Sequence, residues 1–87
     1  MRKEVSDSTI NTVTELIKNE LYQRINEKGR LQFISTHECY GILKEEEHEL
    51  LEALQSNDVD MFINEMVDIA VASIFSVASI ITDQESI

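Results

Sequence analysis

The 87-residue chain has no proline, no tryptophan, two glycines, one cysteine and only seven basic residues. With no proline, and with Gly29 and Gly41 as the only glycine punctuation, the composition favours long helices over strands. Cys39 alone excludes an internal disulfide framework and suits a reducing compartment. Seventeen acids against seven bases leave a formal charge of −10, which repels nucleic-acid backbones and anionic membrane surfaces and makes cations the expected partners. The opening residues Met1 to Asp7 contain no apolar run of the kind a signal peptide needs, so a cytoplasmic protein is expected. The longest apolar stretch, Ile69 to Ile81, is interrupted by Ser73, Ser76 and Ser79 and spans 13 residues, against the roughly 20 that cross a bilayer. It reads as a buried helix, with no membrane partner.

The chain is nevertheless 43% hydrophobic, too apolar to stay disordered. A domain of this length buries only about 60 to 65% of its unfolded surface. A core shared between subunits, in a homodimer or a dimer of dimers, is the expected way to complete burial.

Three helices are legible. Ser6 or Asp7 can cap the first, which carries Ile10, Val13, Leu16, Ile17, Leu21 and Ile25 at steps of three and four and ends near Gly29. Ser35-Thr36-His37-Glu38 has the capping-box pattern and opens a second helix over about 36–55. Gly41 inside it is expected to permit close helix approach. Ser56-Asn57-Asp58 is a turn, and a third helix follows over about 59–82, apolar almost all round beyond Asp68 and rich in Ala and Ser. The expected fold of residues 1–87 is a single all-α domain: an antiparallel three-helix unit that completes a helical bundle by homo-oligomerisation.

Two helical rows place acids beside the core. In the second helix the row is Ile42, Glu46, Glu49, Ala53; in the third it is Met61, Glu65, Asp68, Ala72. The short turn makes the two helices antiparallel neighbours, with each acidic pair at a similar distance from it. Four carboxylates would then share one region, and two charges about 6 Å apart at an effective dielectric of 20 repel by about 3 kcal/mol. Protons or metal ions must offset that. Oxygen-only ligands favour Mg²⁺, with Mn²⁺ as the alternative, over zinc or copper. The plainer reading of Glu45-Glu46-Glu47-His48-Glu49 is a solvated acidic face; the pairing of two similar rows in apolar settings argues for the metal site.

The run Glu45-Glu46-Glu47-His48-Glu49, followed after fifteen residues by Glu65-Met66-Val67-Asp68, resembles the EExxE and ExxD signature of the MazG-like, all-α nucleoside triphosphate pyrophosphohydrolases. The resemblance covers roughly Ser35 to Ala72. It implies Mg²⁺ ions held by Glu46, Glu49, Glu65 and Asp68, with Glu45 as an auxiliary ligand or the group orienting the attacking water. It further implies a nucleoside triphosphate substrate, cleaved between the α and β phosphorus atoms to a monophosphate and pyrophosphate. No Lys or Arg follows Lys44, so basic contacts to phosphate fall to Lys18, Arg24, Lys28, Arg30 or Lys44, or to another subunit.

His37, beside a helix cap, and His48, flanked by acids, are expected at the surface. Cys39, Phe33 and Tyr40 are expected in the core. A carboxylate di-iron site is not expected, because its Glu-x-x-His pairs are missing. Two further readings stand beside the enzyme: a regulatory module that binds metal and nucleotide without turnover, and a structural helical oligomer whose acids serve solubility.

Overall fold

In the computed structural model, which describes residues 1–85, the chain forms three helices: α1 (Asp7–Lys28), α2 (Thr36–Gln55) and α3 (Val59–Glu85). Each start is set by a short polar side chain. The Ser6 hydroxyl accepts the Thr9 N–H at 3.1 Å, and the Ser35 hydroxyl accepts the Glu38 N–H at 3.2 Å. Glu38 reaches back one residue further than a standard capping box, accepting from the Ile34 N–H at 3.2 Å.

The helix ends are equally local. Gly29 ends α1 at φ 92°, a backbone conformation that side chains disfavour. After α2, Asn57 takes a left-handed φ of 57°; the Asn57 N–H donates to Leu54 and the Asp58 N–H to Ala53. That is a Schellman closure with asparagine in glycine's usual place. Asp58 then caps α3 by accepting the Met61 N–H at 3.0 Å. This tight reversal lays α2 back along α3, and the two form the main packed pair. α1 rests on α3, and among the described residues no backbone contact joins it to α2.

The connection after α1 is fastened to the far half of α3. The Phe33 N–H donates to the Ser79 hydroxyl at 3.0 Å, and Phe33 meets Phe75 edge-on with ring centroids 4.9 Å apart. Ser79, only 3% exposed, is therefore a buried anchor and not merely a small residue on a close-packed face.

The enclosed core is thin. Among the described residues Ala53 and Val71 are the buried apolar side chains, and no large side chain is fully enclosed. The accessible surface is 7184 Å² and the radius of gyration 14.9 Å; a compact monomer of this mass and length would show about 5,200 Å² and about 12 Å. α3 is the element left short of cover. Ile63, Met66, Ala70, Ile74, Val77 and Ile81 recur at steps of three and four along one face, and the five large members are all 45% exposed or more.

Four expectations change. The apolar run of α3 is not too short for a bilayer: Val59–Gln84 is long and apolar enough, by length and composition, to cross one, and 11% of the residues in its most apolar stretch are buried within one chain. The interrupting serines had made the apolar run look shorter than the helix that carries it. Gly41 meets no close neighbour, since a Cβ built there would find nothing within 4 Å. Tyr40 is 62% exposed, not core, and Cys39 is half-buried in an α2–α3 groove.

Candidate metal site

The turn register sets the site. Glu49 lies eight residues before Asn57 and Glu65 eight after it, so the antiparallel pairing brings them level. Glu46 sits one turn further from the reversal on the same row of α2, and Ala53, with no exposed surface, continues that row into the core. The chosen carboxylate oxygens of Glu46, Glu49 and Glu65 all lie within 4.8 Å of one another. At that spacing each pair of charges repels by about 3 kcal/mol at an effective dielectric of 20.

Two carboxylate oxygens of these glutamates are stranded. Glu46 Oε2 and Glu65 Oε2 are shielded from solvent and have no hydrogen-bond partner, a condition that folded proteins avoid because an unmatched buried acceptor loses its hydration without replacement. Burial pushes the Glu65 carboxyl up to about 7, helped by its hydrogen bond to Glu49 and by the charges of Glu49, Asp68 and Glu46. Glu46 is raised in the same way, first by burial and then by the charges of Asp68 and Glu49, with Arg24 acting in the opposite direction. The site as it stands holds more negative charge than its own hydrogen bonds can satisfy.

Asp68, the fourth expected ligand, is placed differently. It pairs with Arg24 of α1, and so stands at the edge of the three-glutamate cluster while still acting on Glu46 and Glu65 through its charge. Burial disfavours charge on Arg24, but the hydrogen bond to Asp68 and the charges of Asp68, Glu46 and Glu20 outweigh it, so the guanidinium is held more firmly protonated than usual. The helical spacing of α2 and α3 could not disclose this pair, because its basic member comes from another helix 44 residues away. The signal available in the sequence is that Ile10, Val13, Ile17, Leu21, Arg24 and Lys28 share one face of α1, so the apolar stripe of that helix ends in two cations.

Arg24 and Lys28 open onto a cleft of about 370 Å³ that also borders Glu45 and Glu46 and is floored by apolar side chains including Phe33 and Phe75. Glu45 thus stands beside the cluster without belonging to it. Its other side faces a shallow recess with Lys44, His48 and Glu49. His37 is exposed, and the exposed His48 places its Nε2 2.9 Å from Glu52; neither belongs to the three-glutamate cluster.

Compared with protein-family models, curated proteins and solved structures, the chain is matched by none. The case for the site therefore rests on its chemistry. Three converging carboxylates with two unsatisfied buried oxygens fit a hard divalent cation, which takes oxygen ligands and tolerates water in the remaining positions. The neighbouring cleft combines two cations with an apolar floor, a setting that can hold an anionic ligand with a flat, apolar end.

Proposed function

We propose that the protein is a Mg²⁺-dependent nucleoside triphosphate pyrophosphohydrolase, working in the cytoplasm as a homo-oligomer. The observation that carries the reading is the convergence of Glu46, Glu49 and Glu65 around two buried oxygens without partners, with Asp68 alongside. The EExxE and ExxD resemblance supplies the reaction class, and the cleft beside the acids supplies a place for the substrate.

In this reading Glu46, Glu49, Glu65 and Asp68 hold Mg²⁺, or Mn²⁺ in its place. A bound ion would neutralise phosphate charge, polarise a phosphoryl oxygen and acidify water. Glu45, next to the cluster and outside it, orients the attacking water and accepts its proton. Lys28 and Arg24 face the polyphosphate from the other wall of the cleft. Phe33 and Phe75 exclude water beneath the rest of the nucleotide.

Self-association is supported by area. The chain exposes roughly 2,000 Å² more than a compact monomer of its mass would, and a stable interface typically removes about 800 Å² from each partner. The α3 stripe is the surface to cover. A bilayer could also cover it by length alone, but α3 carries Asp60, Glu65 and Asp68 in its first half, and a second protein surface leaves those acids beside water.

The test is a panel of ribo- and deoxyribonucleoside triphosphates incubated with Mg²⁺, read as pyrophosphate and monophosphate released. Glu46→Gln and Glu49→Gln should each lower the rate by at least about a hundredfold, the scale of losing a group that stabilises transition-state charge. Nucleotide binding without any turnover would select the regulatory module instead. Thermal stability indifferent to millimolar Mg²⁺ would select the structural oligomer, since a ligand stabilises only the state it binds.

A further inference from the structure

We infer that Arg24 is a tethered counter-cation that occupies Asp68 in the metal-free protein and loosens its hold when a divalent ion enters, so that Arg24 and the metal compete for one carboxylate. The inference rests on the metal-site reading and adds a regulatory element that the acidic pattern does not contain.

Two observations support it. Arg24 is the basic side chain that reaches the acids from α1, and its Nη2 is bonded to Asp68 Oδ1 with both side chains partly buried, at 32% and 24% exposure. The same guanidinium is close enough to Glu46 for the two charges to act on each other. It therefore answers part of the cluster's excess charge. An aspartate that gives a lone pair to a divalent ion can still accept from a guanidinium, but the two cations repel at such a distance, so each weakens the other's hold on the carboxylate.

Release has a direction. Arg24 also lines the cleft beside Lys28, one helical turn away. A guanidinium freed from Asp68 comes to rest among groups already suited to an anion. Metal entry and the readiness of the cleft for phosphate are thereby linked through one side chain, and by reciprocity an anion held in the cleft eases metal entry.

The experiment is a Mn²⁺ titration of the full chain, followed by the electron paramagnetic resonance of the free ion, with thermal unfolding of the metal-free protein as the second readout. Arg24→Gln should bind Mn²⁺ about tenfold more tightly than the wild type, within the usual range of coupling between two ligands, and should unfold at a lower temperature without metal. Lys28→Gln removes the same charge from the same helix face but leaves Asp68 paired, so its gain in affinity should be clearly smaller.

Equal gains in the two variants would mean a general change in field and overturn the exchange. Unchanged or weaker binding by Arg24→Gln, with the wild type binding normally, would overturn it while leaving the metal site standing. If no form binds Mn²⁺, the metal site itself is refuted. Should Arg24→Gln fail to fold, Arg24→Lys, which keeps the charge on a weaker, single-pronged grip, must still bind Mn²⁺ more tightly than the wild type; if it does not, the exchange is wrong.

Discussion

At Glu65 the folded chain carries an electrostatic cost that the unfolded chain does not. The carboxyl is raised to about 7 when folded, from 4.5 when free, so between those values the folded state binds more protons than the unfolded one. Stability then falls as pH rises through that window, and the full cost is present above it. The metal-free protein should accordingly melt at a lower temperature near about pH 8 than near about pH 6, and millimolar Mg²⁺ should stabilise it more at the higher pH, where proton and ion no longer compete. A melting temperature that does not change over this range, with and without Mg²⁺, would refute the crowding of these acids. Glu65→Gln removes the charge while keeping the shape. Allowing for solvent screening at a half-exposed site, it should stabilise the metal-free protein by about 1 kcal/mol, or about 4–8 °C, and should abolish the response to Mg²⁺.

Helix boundaries followed from single residues. Ser6, Ser35 and Asp58 cap the three helices through their own side chains, and Gly29 and Asn57 supply the positive φ values that close two of them. These interactions join residues five positions apart or fewer, which is why their positions could be read from sequence. Ser35→Ala should cost about 1 kcal/mol, measured by urea unfolding, with α2 losing amide-exchange protection first at its start. Gly41→Ala should do the reverse. The site is helical, exposed and open, so alanine gains about 0.5–1 kcal/mol from helix propensity and a less flexible unfolded chain; a loss would mean that another subunit's backbone lies against Gly41. Only α3 ran past its expected limit, continuing from about 82 to Glu85, the last described residue.

At the scale of the whole molecule the apolar residues outnumber the places one chain has to bury them. The excess surface and the large radius have a common cause: two helices can shelter only part of a third that is apolar on nearly every side. If a second copy covers the stripe of Ile63, Met66, Ile74, Val77 and Ile81, Val77→Glu should shift the protein from oligomer to monomer in size-exclusion chromatography with light scattering, and should lower its melting temperature with dilution. A wild type that runs as a monomer without detergent would exclude this account of the stripe.

The three helices, the turn between α2 and α3, and the meeting of Glu46, Glu49 and Glu65 were legible in the residues alone, because helical period and a short reversal are local rules and the register follows from counting. That Asp68 faces Arg24, that Ser79 anchors the Phe33 loop, and that α3 lies mostly uncovered came from long-range packing. Each of those depends on where α1 and its connection settle against α3. That placement joins residues more than forty positions apart, and periodicity within one helix carries no information about it.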